Sequence, residues 1–178
     1  MVDPQARFEA LYAEHNAAVR TYVHRRVDSQ DADDIVADVF VIAWRRLVDV
    51  PEDARPWLLG VARRVVANRR RGVTRETALR HRLRFERPRL GPAVSIAPDS
   101  PPRVLGALNA MRESDRETLL LVAWEGLAPA QAAQVLGLSP NTFSARLSRA
   151  RRRFERALAA QSTQPERGPG PVKPEVLP

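Results

Sequence analysis

Residues 139–153 read Ser-Pro-Asn-Thr-Phe-Ser-Ala-Arg-Leu-Ser-Arg-Ala-Arg-Arg-Arg, and their types and spacing suit contact with nucleic acid. Ser139 followed by Pro140 is a helix cap and a first-turn proline. Phe143 and Leu147, four apart, share one face and can bury it. Asn141, Thr142, Ser144, Ala145 and Ser148 are then free to enter a major groove. Arg146, Arg149, Arg152 and Arg153 can reach phosphates or guanine edges. Upstream, Gly137 supplies a left-handed turn after the apolar run from Pro129 to Leu136. Ala132 or Ala133 is small enough to sit where two steeply crossing helices touch. An arginine-rich helix is often only a solvated face. Here the glycine turn, the serine cap and the polar helix start occur together, and a duplex-reading helix-turn-helix is expected.

Other chemistries find no constellation. The chain has no cysteine, which excludes disulfides and thiolate zinc sites. His15, His24 and His81 are scattered. Asp33 and Asp34 are adjacent and so point to different sides of a helix, with no third carboxylate to join them in holding metal. No nucleophile is flanked by converging cations. A chain without cofactor or catalytic activity of its own is expected. No run reaches the roughly 20 apolar residues that span a bilayer. The N-terminal MVDPQARFEA lacks a signal-peptide apolar core. The reading is therefore a soluble, cytoplasmic protein without membrane insertion.

The 178 residues suffice for one ordinary domain or two small ones. Low aromatic content (6%) fits small helical units better than a β-sandwich. The net charge of +8 is uneven: +1 over residues 1–73, +3 over 74–102, +4 over 103–160 and zero beyond. Basic charge rises towards the C-terminal half while the N-terminal half keeps an acidic block, as expected if one end meets nucleic acid and the other something else. All basic residues but Lys173 are arginine, which a GC-rich codon bias explains better than selection for forked phosphate contacts.

Apolar spacing predicts three helices in residues 1–73. The first opens at Asp3-Pro4, carries Phe8, Leu11, Tyr12, Val19, Tyr22 and Val23, and closes near 27–29. Ser29 is expected to cap the second, with Asp31, Asp33 and Asp34 near its positive end. Its core stripe is read as Ile35, Val36, Val39, Phe40, Ala43, Trp44 and Leu47. A loop follows over 48–53. The third helix turns Trp57, Leu58, Val61, Ala62, Val65 and Val66 inward and leaves arginines and Asn68 outside, with Gly72 as its stop. Prolines and lost periodicity predict a flexible linker over 74–102 and a disordered tail over 161–178. Between them, Val104, Leu105, Leu108 and Met111 mark a short helix, and Ser114 or Asp115 is expected to cap another, which runs to Gly126. The fold class is thus all-α: two small helical domains, 1–73 and 103–160, the second holding the helix-turn-helix.

Three stretches together resemble a known family. The segment from Leu138 to Arg151 is similar to the promoter-recognition helix-turn-helix of extracytoplasmic-function sigma factors. The segment Asp31-Ala-Asp-Asp-Ile-Val-Ala-Asp-Val-Phe-Val-Ile-Ala-Trp44 resembles their polymerase-docking helix, and Trp57-Leu-Leu-Gly-Val-Ala-Arg-Arg-Val-Val-Ala-Asn68 their promoter-melting helix. Their order and spacing match and cover most of residues 8–157. The resemblance implies that Asp33, Asp34, Ala37, Asp38, Val41 and Arg45 meet core RNA polymerase, at the clamp helices of its large subunit, with a further contact to the flap. It implies that Asp49, Arg55, Arg63, Arg64, Asn68 and Arg71 hold the unpaired minus-10 strand, with Trp57 a core residue. It also implies an anti-sigma partner, and places the linker in the polymerase's active-site cleft and exit channel. Ala37 departs from a usual glutamine, Arg64 from a common asparagine, and Ser144-Ala145 from a frequently basic or polar pair. Arg80, Arg82, Arg84, Arg87 and Arg89 make basic a linker that is often acidic. Two readings compete: a stand-alone helix-turn-helix repressor or activator, which needs a dimerising or ligand-binding N-terminal half, and a recombinase-like enzyme, which needs the catalytic constellation missing here.

Overall fold

A computed structural model describes residues 3–27, 29–81 and 101–162 of the chain. Among these every regular element is helical: α1 (Pro4–His24), α2 (Ser29–Arg45), a 3₁₀ turn (Leu47–Asp49), α3 (Ala54–His81), α4 (Pro102–Ala110), α5 (Glu113–Ala123), α6 (Pro129–Leu136) and α7 (Pro140–Ser162). The all-α class holds. Asp3 caps α1 through its carboxylate, which accepts from the Gln5 amide at 3.1 Å, with Pro4 in the first turn. In α2, Ile35, Val36, Val39, Phe40 and Ala43 form a buried stripe at helical spacing, packed on α1 and α3.

Several local expectations are corrected. Ser29 is already helical rather than preceding the helix. The stretch after α2 starts with a 3₁₀ turn, stapled by Arg46 on Asp49 at 2.9 Å. Gly72 does not stop α3, which runs on to His81 and so takes up the first residues of the expected linker. A glycine in a helix interior costs only about 1 kcal/mol against alanine, too little to end a helix by itself. The rest of the expected linker, 82–100, and the tail from 163 on lie outside the described residues. Ser114 and Asp115 do not cap α5: Arg112 occupies that position without a side-chain bond. Asp115 is instead buried and paired with Arg153 of α7, a use of its charge that spacing along one helix does not reveal. Trp44, read as core, is 48% exposed, its ring edge-on to Phe8 at 5.2 Å.

The C-terminal half is built on α7. Leu108 of α4 and Leu120 of α5 meet Phe154 and Trp124 in a small cluster of their own. The larger core does not respect the boundary between the halves. Leu121, Leu127, Ala132, Ala133, Val135, Phe143 and Leu147 join Leu58, Leu59, Val61 and Val66 of the N-terminal half in one buried cluster. Helix α6 lies directly on α3, and a Cβ built on Gly60 would sit 3.8 Å from the backbone of Val135. Beside that small cluster, the main core is one that the two halves share.

Candidate nucleic-acid interface

The helix-turn-helix is α6, its turn and α7, and each part has a local cause. Gln131 accepts from the Ala128 amide at 2.9 Å and so satisfies a free donor at the start of α6. Gly137 sits at φ 65°, ψ 36°, and the Leu138 amide donates back to Ala133 at 2.9 Å, closing α6 with a left-handed glycine. Ser139 Oγ then accepts from the Thr142 amide at 3.2 Å and caps α7. Ala132 and Ala133 are buried where the helices meet, and Phe143, Leu147 and Ala150 face inward.

That packing decides what α7 offers outward. Asn141, Thr142, Ser144, Ala145, Ser148, Arg149 and Arg152 are all exposed, and Arg146 is partly so. Arg149 folds back on the Ala145 carbonyl at 3.2 Å and Arg152 on Ser148 Oγ at 3.4 Å, contacts that solvent-exposed side chains can exchange for phosphate. Arg153 differs: its ion pair with buried Asp115 ties it to α5. At 23 residues, α7 is about 34 Å long, so only its first turns fit a groove.

The α3 candidates divide. Arg63, Arg64 and Asn68 are exposed, Arg64 donating to the Gly60 carbonyl at 3.1 Å and Arg71 to Asn68. Arg55 is half-buried and donates to the Glu125 carbonyl, in the other half, at 2.6 Å. Asp49 stands on the 3₁₀ turn with Arg46. Arg69, not among the candidates, pairs with Asp31, whose hydrogen bond and charge raise its pKa further. On α2, Asp34, Ala37, Asp38, Val41 and Arg45 form one exposed stripe, whereas Asp33 turns towards α1, held by Arg20 at 2.8 Å and near His24 at 3.6 Å. Sequence reasoning missed Trp44 and Tyr12, which extend that face with exposed aromatic surface. The spacing contained the signal for the tryptophan: Ala37, Val41 and Trp44 recur at helical intervals.

Two family models match in chain order, sigma-70 region 2 over residues 11–76 and sigma-70 region 4 over 103–154. The RNA polymerase sigma factor CnrH of Cupriavidus metallidurans is 32% identical, over 89% of this chain and 90% of its own. The ECF RNA polymerase sigma factor SigL of Mycobacterium tuberculosis is 27% identical, covering 80% of this chain and 83% of its own. The chain is an extracytoplasmic-function RNA polymerase sigma factor. The fold agrees: the structure of CnrH in complex with the cytosolic domain of CnrY has a TM-score of 0.60 at 28% identity, covering 86% of this chain and 88% of that one. As a sigma factor the chain recognises promoters, with region 2 on α1–α3 and region 4 on α4–α7. No described helix is long and apolar enough to cross a membrane.

Proposed function

We propose that this sigma factor grips promoter DNA at two separate places while docked on core polymerase by a third surface. The duplex minus-35 element is read by Asn141, Thr142, Ser144, Ala145, Ser148 and Arg149 at the start of α7, with Arg146 and Arg152 on phosphate. The separated minus-10 strand lies along α3, with Asn68 and Arg64 at an extruded base and Arg63, Arg71 and Arg55 on its backbone. Trapping separated strands lowers the melting barrier without any covalent step, and the chain is not an enzyme. The α2 stripe of Asp34, Ala37, Asp38, Val41 and Arg45, flanked by Trp44, faces the polymerase clamp helices; Asp33 supports it from the α1 side. An anti-sigma protein is a further partner, as the pairing of CnrH with CnrY suggests. The domain division follows the helices, with residues 82–100 connecting the two grips.

One observation carries the reading: the groove-sized polar start of α7 and the cationic face of α3 belong to a chain that also presents a free acidic and apolar face on α2. Reconstitution tests it. The chain with core polymerase is expected to initiate at defined start sites, and neither component alone to do so; failure to form a complex with core enzyme overturns the reading. Within that assay, Arg149→Ala is expected to weaken minus-35 duplex binding by about 1–3 kcal/mol, roughly 5- to 160-fold, with polymerase docking intact. Loss of both would mean a misfolded variant.

A further inference from the structure

Helix α7 carries a column of cations along one flank of its outward face. Thr142, Arg146, Arg149, Arg153 and Arg156 recur at intervals of four and three residues, so they stack on one side of the helix. The column begins beside the polar start of α7 and runs on past it. Arg149 and Arg156 rest on carbonyls of their own helix, Ala145 at 3.2 Å and Arg152 at 3.3 Å, and both guanidinium groups stay free to turn outward. Arg153 stands one turn beyond Arg149 and has a different partner. Among the described residues it is the one arginine of α7 paired with a carboxylate, that of Asp115. The two partners are unequally free. Asp115 lies in the first turn of α5, near the positive end of that helix, and its side chain is 6% exposed. The Arg153 side chain is 43% exposed, so water reaches the same guanidinium that the carboxylate holds.

We propose, on the reading of α7 as the minus-35 face, that Asp115 withholds Arg153 from the DNA backbone and thereby sets the strength of the minus-35 grip. Each phosphate that a protein neutralises strengthens binding to any sequence and steepens its dependence on salt. Arg153 belongs by position to the cations that could do this. Drawing it onto a phosphate would leave the Asp115 carboxylate uncompensated inside the domain. That penalty exceeds what one solvent-screened phosphate contact returns, so the pair survives when α7 meets a duplex. Asp115 thus subtracts one contact from the column without breaking the column itself. Affinity differences within one interface fall mainly on the dissociation rate, so the withheld contact also shortens residence on the duplex. A carboxylate outside the helix-turn-helix in this way tunes what its second helix can hold.

The test uses the full chain assembled with core polymerase and a short duplex carrying the minus-35 element of a mapped start site. Asp115→Asn keeps the shape of the side chain and removes its charge. It is expected to bind about threefold tighter or more at roughly 100 mM salt, with slower dissociation to match. The plot of log binding constant against log salt is expected to steepen by about 0.9, the value for one added phosphate. Glu9→Gln, which changes the net charge equally on α1, is expected to leave that slope unchanged. Adding Arg153→Gln to Asp115→Asn is expected to restore the natural slope. Equal gains in Asp115→Asn and Glu9→Gln overturn the proposal, as does natural or weaker binding by an Asp115→Asn chain that melts normally. Arg153→Gln alone gives a second reading that does not need Asp115→Asn to fold. It is expected to keep the natural slope; a slope shallower by about 0.9 means that Arg153 already holds a phosphate, and overturns the proposal. If the natural holoenzyme does not prefer the minus-35 duplex to a scrambled one, the assignment of α7 fails instead.

Discussion

Three side chains show how far a residue's role departs from its type. Tyr22 is fully buried, and burial, followed by the charge of Glu117, pushes its phenol pKa well above the ordinary value of 10.0. The fold thus favours the neutral phenol. That contribution is complete below the unfolded value near 10 and is lost as pH rises through the higher folded value. Urea midpoints measured between pH 8 and 11.5 are expected to stay level up to about 10 and then to fall, less steeply in Tyr22→Phe. Arg26 is the partner case. Burial alone lowers its pKa, but Tyr22, Glu117 and Glu125 outweigh burial and the net shift is upward, so it remains charged inside the protein. Trp44 shows the opposite departure, an aromatic residue left half in water. Trp44→Ala is expected to weaken the complex with core polymerase about tenfold or more, as for a buried interface anchor, while thermal stability changes little. Sedimentation with core enzyme and a melting curve separate the two effects.

At the scale of elements, most of the architecture was legible in sequence, because helices are local. The Asp3-Pro4 start of α1, the Gly137 turn and the Ser139-Pro140 start of α7 depend on neighbours within a few residues. Gly137 is the most constrained of these, since its φ of 65° is one that L side chains adopt only with strain. Gly137→Ala is expected to cost about 1–2 kcal/mol, read as a lowered urea midpoint, and to weaken minus-35 binding because the angle between α6 and α7 shifts. Element boundaries were less legible. Gly72 is a plausible stop by composition, yet α3 continues past it. Asp115 has the composition of a cap, but it is used by Arg153, a partner 38 residues away.

The whole molecule adds electrostatics on two length scales. The exposed arginines of α7 stand in solvent, where salt screens their charge, whereas Arg26 and its carboxylates are shielded from salt by burial. For the two phosphate contacts proposed for Arg146 and Arg152, raising salt from 50 to 200 mM is expected to weaken minus-35 duplex binding about 12-fold. Helical content by circular dichroism is expected to stay constant over the same range. Local pattern alone determined the all-α class, the helix-turn-helix, the polar exposed face of α7 and the acidic stripe of α2, because cap, turn and amphipathic periodicity are set within one or two helical turns. The shared core of the two halves, the burial of Arg26, the diversion of Arg55 and Arg153 to protein partners and the exposure of Trp44 were decided only by tertiary structure. Each depends on residues brought together from opposite halves or different helices, and periodicity along a single helix carries no information about what packs against it.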